Sequence, residues 1–231
     1  MPGTLFVVAT PIGNLEDITF RAVRILTEAD LIAAEDTRQT RVLLTKYDIN
    51  TPLTSYHKFN IKAKTDYLID RLINGQNLAL VSDSGMPGIS DPGYEIIRAA
   101  ADQAIRVEVI PGPSAAITAL VASALPTEEF TFIGFLPKKP GKKRKALAAL
   151  KDEARTIIIY ESPFRIVKKL ADVIGVMGDR EVAVCRELTK KFEEIIRGKA
   201  EEVLGKLKGV RVRGEIVLVI SGQVAQRERD S

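Results

Sequence analysis

Tryptophan is absent from this chain, and cysteine and histidine occur once each. The lone Cys185 can form no internal disulfide, which fits a reducing compartment. Its place after Val182-Ala183-Val184 reads as a small buried hydrophobe. A single histidine, His57, excludes the His-rich zinc sites, and no Cys/His cluster stands at ligand spacing, so no metal is expected. No apolar run reaches the ~20 residues of a membrane helix. The opening segment, Met1 to Thr10, lacks a basic n-region and reads as a first strand rather than a signal peptide. The chain has no Gly-x-Gly-x-x-Gly fingerprint and no Walker lysine, so a Rossmann dinucleotide site and a P-loop are both unsupported. No Gly-x-Ser-x-Gly elbow surrounds Ser114, which excludes a hydrolase triad there.

What is present describes a soluble globular protein: 231 residues, 45% hydrophobic and 28% charged, enough for one large domain or two of moderate size. The net charge of +4 is mild, but its distribution is not. Lys138-Lys139-Pro140-Gly141-Lys142-Lys143-Arg144-Lys145 places six cations in eight residues. Such a run reads as a loop that either collects phosphates or is merely solvated.

The stretch that organises the chain runs from Val81 to Gly93. The apolar run Leu78 to Val81 predicts a buried strand, and Tyr94 to Ala101 predicts a helix. Between them Gly85, Gly88 and Gly93 alternate with Pro87 and Pro92. Glycine admits close backbone approach and positive φ, and proline fixes φ. Loops of this kind at strand ends are where open α/β sheets bind ligands.

Around this centre, strands are expected at Leu5 to Ala9, Leu31 to Ala34, Pro52 to Ser55 and Val107 to Ile110. They alternate with helices, one capped by Thr19 and one through Ile61 to Ile73, which predicts a largely parallel α/β sheet. Beyond Leu125 the spacing becomes hairpin-like. Strands are expected near Phe130 to Phe135, Thr156 to Tyr160, Val182 to Cys185, Glu194 to Ile196 and Glu215 to Ile220, predicting a mixed sheet. The expected domains are 1–124 and 125–231, with a ligand cleft between them. The charged tail Gln226 to Ser231 is expected to fray.

Four clusters follow strand ends in the first half: Thr10 to Asn14, Glu35 to Arg38, Asp83 to Gly93, and Pro111 to Ser114. In a parallel sheet they share one edge. His57 follows another predicted strand and is a candidate base, or an ordinary loop histidine. Ser114 reads equally as an N-cap. Asp36 and Arg38 can simply pair. Arg165 and Arg186 can bind phosphate or neutralise Glu161 and Glu187.

Taken together the motifs are specific. Ala9-Thr10-Pro11-Ile12-Gly13-Asn14-Leu15, Glu35-Asp36-Thr37-Arg38, Ser55-Tyr56-His57 and Val81 to Gly93 carry a resemblance in the first half. Pro111 to Ala115, Gly134-Phe135-Leu136-Pro137-Lys138, Tyr160-Glu161-Ser162-Pro163 and Arg186-Glu187-Leu188-Thr189-Lys190 carry it in the second. The chain resembles the tetrapyrrole methylase-like class of S-adenosylmethionine-dependent methyltransferases. Within it, the chain resembles the branch that 2′-O-methylates a cytidine ribose of 16S ribosomal RNA.

The resemblance implies a two-domain α/β fold, S-adenosylmethionine as cofactor, the small ribosomal subunit RNA as partner, a homodimer and a cytoplasmic location. It maps cofactor contacts onto Pro11, Ser84, Gly85, Met86, Ile89, Ser114 and Ala115, with Phe135, Leu136, Glu161 and Leu188 in the second domain. RNA contacts are expected from Arg38, Lys138, Lys142, Lys143, Arg144, Arg165 and Arg186. The proton taken from the hydroxyl would go to one of His57, Asp36, Glu161 or Lys190. One departure stands out: the class's Pro-His-Arg segment is Pro163-Phe164-Arg165 here. The rival readings are a small-molecule methylase of the same fold and a non-catalytic RNA-binding module.

Overall fold

The apolar runs of the first half pair as one sheet in the computed structural model, which describes residues 1–223. The tail from Gln226 to Ser231 lies outside the described residues. The strands are β1 (Thr4–Val8), β2 (Leu31–Ala34), β3 (Leu53–Ser55), β4 (Leu78–Val81) and β5 (Arg106–Ile110). They lie in the order β3-β2-β4-β1-β5, and every pair is parallel. Every residue of β2 and β4 is buried, as expected of strands covered on both faces.

The covering helices are α1 (Phe20–Glu28), α2 (Thr37–Lys46), α3 (Ile61–Ile73) and α4 (Tyr94–Asp102). Thr19 caps α1, its side chain accepting from the Ala22 N–H at 3.0 Å. Ile25 and Leu26 of α1 and Leu43 and Leu44 of α2 share a core with Val8, Ile32, Ala34 and Val81. Leu68 and Leu72 of α3 and Ile96 of α4 share another with Leu5, Val7, Ala33 and Leu80. Alternate strand residues point to opposite faces, so α1 and α2 lie on one face and α3 and α4 on the other. The chain therefore leaves β1 and β2 toward one face and leaves β4, which sits between them, toward the other. That divergence opens a crevice at the carboxyl ends of the strands, on each side of β4.

The second unit holds α5 (Ala115–Ser123), β6 (Phe130–Phe135), α6 (Pro140–Ala149), β7 (Thr156–Glu161), α7 (Ile166–Met177), β8 (Glu181–Arg186), β9 (Glu194–Lys199), α8 (Ala200–Leu207) and β10 (Ile216–Ile220). Its sheet runs β6-β7-β10-β8-β9, parallel at β6–β7 and antiparallel elsewhere. The expected mixed sheet is present. Leu147, Ile166, Leu170, Val173, Val203 and Leu207 pack with Ile157, Ile159, Val184, Leu218 and Ile220 in its core.

Two details differ from the expectation. The chain divides after Ser114, not after Ala124, because α5 packs on β7, β8 and β10. And the basic run is not a loop. Pro140 starts α6, so Lys142, Lys143, Arg144 and Lys145 are helical. Proline at a helix start sacrifices no hydrogen bond and presets φ.

Candidate active site

At the carboxyl edge of the first sheet, the loops after β1 and β4 are fastened together through backbone. Thr10 and Gly85 form an antiparallel bridge, with N–H···O distances of 2.9 and 3.0 Å. The Thr10 hydroxyl donates to the Ser82 carbonyl at 3.1 Å. Gly85 sits at φ 76°, a left-handed conformation that glycine adopts without strain. A Cβ on Gly93 would stand 2.8 Å from the Gly88 nitrogen, and one on Gly112 would stand 2.9 Å from the Ala9 Cβ. Close approach thus forbids side chains at both places. The result is a surface made largely of main chain, where Pro11 is buried, Ser84 partly covered and Ile89 half exposed. Such a surface suits a neutral nucleoside and an amino-acid moiety, which main-chain donors and acceptors can grip without a phosphate cradle.

Beside that surface, across β3, β2 and β4, lies a strip of titratable groups. Asp36 caps α2 and accepts from the Arg38 N–H at 2.8 Å and from the Arg38 guanidinium at 3.0 and 2.6 Å. The Arg38 hydrogen bonds hold its carboxyl down to about 2. The Asp36 N–H donates to Asp83 Oδ1 at 3.0 Å, joining the β2 and β4 loops. Burial pushes the Asp83 carboxyl above the usual range, with the Asp36 charge adding to it. Burial, then Asp83, does the same to Glu35. His57, after β3, has its N–H bound to Asn60 Oδ1 at 2.9 Å and its ring edge-on to Phe59. Its Nδ1 is buried with no hydrogen-bond partner among the described residues.

In the second unit, Glu161 at the end of β7 is buried with Lys169 of α7. Both side chains are 3% exposed and their charges are 3.0 Å apart. Glu161 also accepts from the Ser162 N–H at 2.7 Å and from Arg165 at 2.8 Å. Burial alone would raise its pKa, but those donors bring the carboxyl below the ordinary value. Lys190 is held between Glu187 at 3.0 Å and Glu215 at 2.8 Å. Against the cost of burial, these partners raise its pKa. Leu136 and Leu188 are buried, Phe135 is exposed, and Arg186 is paired with Glu194. Lys143 is tied to Asp172 of α7, while Lys138, Lys142 and Arg144 are exposed.

The family of Tetrapyrrole (Corrin/Porphyrin) Methylases matches residues 4–204. The chain belongs to the tetrapyrrole methylase family. Within it, the chain is 54% identical over 220 residues to "Ribosomal RNA small subunit methyltransferase I" of Halalkalibacterium halodurans, covering 95% of this chain and 76% of that protein. It is 46% identical to the protein of the same name in Thermotoga maritima, covering 96% and 99%. Its fold is similar to that of uroporphyrin-III C-methyl transferase from Thermus thermophilus complexed with S-adenyl homocysteine. There the TM-score is 0.67 at 20% identity, with 97% and 99% of the chains covered. It is also similar to diphthine synthase, with a TM-score of 0.71 at 14% identity and coverage of 97% and 93%.

Of the candidate bases His57, Asp36, Glu161 and Lys190, the strip holds His57 and Asp36, and the fold occupies Asp36 with Arg38 and keeps it strongly acidic. The carboxyls whose acidity the fold weakens are Glu35 and Asp83. Their signal in the sequence was only their position at the ends of adjacent strands. Lys169 was also missed. Its signal was a cation on the apolar stripe of α7, three residues after Ile166 and one before Leu170.

Proposed function

We propose that this chain is an S-adenosylmethionine-dependent methyltransferase of small-subunit ribosomal RNA, with the ribose 2′-hydroxyl of a cytidine in 16S RNA as acceptor. The observation that carries this reading is 54% identity across 95% of the chain to a relative of that name, against 20% to a tetrapyrrole methylase of the same fold. S-adenosylmethionine, when bound, supplies a methyl on a sulfonium sulfur, an already activated donor. Pro11, Ser84, Gly85, Met86 and Ile89 fix it through main chain and small side chains.

The chain's remaining task is to position the ribose oxygen and accept its proton. Three of the four candidate bases have other work. Asp36 caps a helix, Glu161 neutralises a buried lysine, and Lys190 is a paired cation. His57 forms no side-chain ion pair or helix cap among the described residues, and we assign it the proton.

The protein works in the cytoplasm as a homodimer in this reading, which sedimentation would check. No helix among the described residues is long and apolar enough to cross a membrane. The deciding experiment incubates purified protein with methyl-labelled S-adenosylmethionine and undermodified small subunits, then digests the RNA to nucleosides. Label in 2′-O-methylcytidine is expected. Label only in an added tetrapyrrole, or in no RNA nucleoside, would overturn the proposal.

A further inference from the structure

Phenylalanine contributes little to the core of this protein, where only Phe6, partly buried, packs against a core cluster. None of its eight phenylalanines is buried, and the buried apolar side chains are aliphatic apart from Tyr56, Met177 and Cys185. Phenylalanine ordinarily dominates cores and interfaces. Single exposed apolar residues are common and mean little alone. The placement of two of them is different. Phe164, 91% exposed, lies in the loop after β7, and Phe192, 68% exposed, in the loop between β8 and β9.

Ile216 of β10 pairs with Glu161 on one side and with Arg186 on the other. The ends of β7 and β8 therefore lie level on one sheet edge, two strand spacings or about 10 Å apart. Two or three nucleotides stacked at ~3.4 Å each span that interval. The segment entering β10 between these loops carries exposed Arg211 and Arg213. Lys191 stands over the Phe192 ring, its Nζ 5.7 Å from the centroid.

The acids of this edge are occupied. Glu194 holds Arg186, Glu215 holds Lys190, Glu193 accepts from the Thr189 N–H, and Glu161 holds Arg165 and Lys169. Lys191, Arg211 and Arg213 form no ion pair among the described residues. The charge left over is positive, and it flanks isolated rings rather than a continuous apolar patch.

We propose that this edge is a stacking platform for unpaired bases of the substrate RNA. Phe164 and Phe192 each take the face of a base, and Lys191, Arg211 and Arg213 take the phosphates. The proposal rests on the ribosomal RNA reading above and adds where the strand lies. Aromatic rings with interleaved cations are the usual grip on single strands. A second copy of the chain fits less well. In a two-fold contact centred here the patch would meet itself, cation against cation.

The test uses the full chain and a labelled single-stranded RNA oligomer, read by fluorescence anisotropy. Stacking worth ~1–3 kcal/mol per base predicts that Phe164→Ala and Phe192→Ala each weaken binding about 5- to 150-fold. Phe192→Tyr should bind as the parent does. Phe192→Leu, apolar but without a π-face, should bind as Phe192→Ala does. Folding is monitored by circular dichroism, and S-adenosylmethionine affinity should be unchanged. Equal RNA affinity in Phe192→Leu and the parent would overturn the platform. So would a change in sedimentation mass with RNA affinity retained, which would assign the face to a second copy. Methyl transfer by the parent protein is scored separately, so a failure of the RNA methylation reading stays distinct from a failure of the platform.

Discussion

Asp36 closes the first turn of α2 and holds Arg38 with the same carboxyl. Its pKa falls from an ordinary 3.8 to about 2 through those hydrogen bonds. A depressed carboxylate stabilises the fold above its unfolded pKa and loses that contribution as the pH falls through the folded value. Asp36→Ala should therefore melt below the parent at pH 7, and the gap should close between about pH 4 and pH 2. Thermal melts at three pH values check this, and a gap constant down to pH 2 would exclude the cap as the cause. His57 makes the complementary case for chemistry. If it accepts the proton, His57→Ala should lower the methyl-transfer rate ~10²–10⁴-fold with both binding constants nearly unchanged. Single-turnover rates decide, and a loss of only a fewfold would move the role to Glu35 or Asp83. The sequence made these residues legible as a set, because strand ends in a parallel sheet share an edge. It could not rank them, because burial by neighbours remote in sequence weakens Asp83 and Glu35 while a guanidinium two residues away strengthens Asp36.

At the scale of elements, the Glu161–Lys169 pair joins β7 to α7 inside the second core. Removing one member strands the other charge in a buried site, which typically costs ~3–5 kcal/mol. Glu161→Ala should therefore lose stability of that order in urea titration, and Glu161→Gln with Lys169→Met should recover most of it. A small loss from Glu161→Ala alone would mean that water reaches Lys169. Activity lost by Glu161→Ala is accordingly no evidence of a catalytic carboxyl unless the double variant is also inactive. The loop after β4 needs similar care. Substituting Gly85 would break its left-handed turn, so Ile89, half exposed at the same loop, is the better probe. Ile89→Asp should weaken S-adenosylmethionine about tenfold or more by calorimetry with the melting temperature kept; unchanged affinity would remove Ile89 from the contact set. Most elements were legible, since continuous apolar runs announced β2, β4 and β10. The partners of β10 were not, because a fully buried run gives no sign of which strands flank it. The start of α6 was hidden by its own charges, which read as a loop until Pro140 is seen to begin a helix.

Over the whole molecule, a net charge of +4 is too small to bind RNA by itself, so the positions of the cations must decide. Of the cations the sequence assigns to RNA, Arg38, Lys143, Arg165 and Arg186 are ion-paired within the fold. Lys138, Lys142 and Arg144 are exposed and form no ion pair among the described residues. Each phosphate contact to a single strand contributes about −0.7 to the slope of log affinity against log salt. Changing Lys138, Lys142 and Arg144 together to Gln should flatten that slope by about 2 while S-adenosylmethionine affinity holds. Lys143→Gln should leave the slope as it is. It should instead lower the melting temperature, because Asp172 loses the partner that ties α6 to α7. The two variants remove cations from one basic run of the sequence, and only the fold distinguishes them. If Lys143→Gln flattened the slope as much per charge as the triple variant, the Asp172 pairing would not hold Lys143 away from RNA. If the triple variant left the slope unaltered, α6 would be a solvated helix, and the phosphates would have to be met elsewhere.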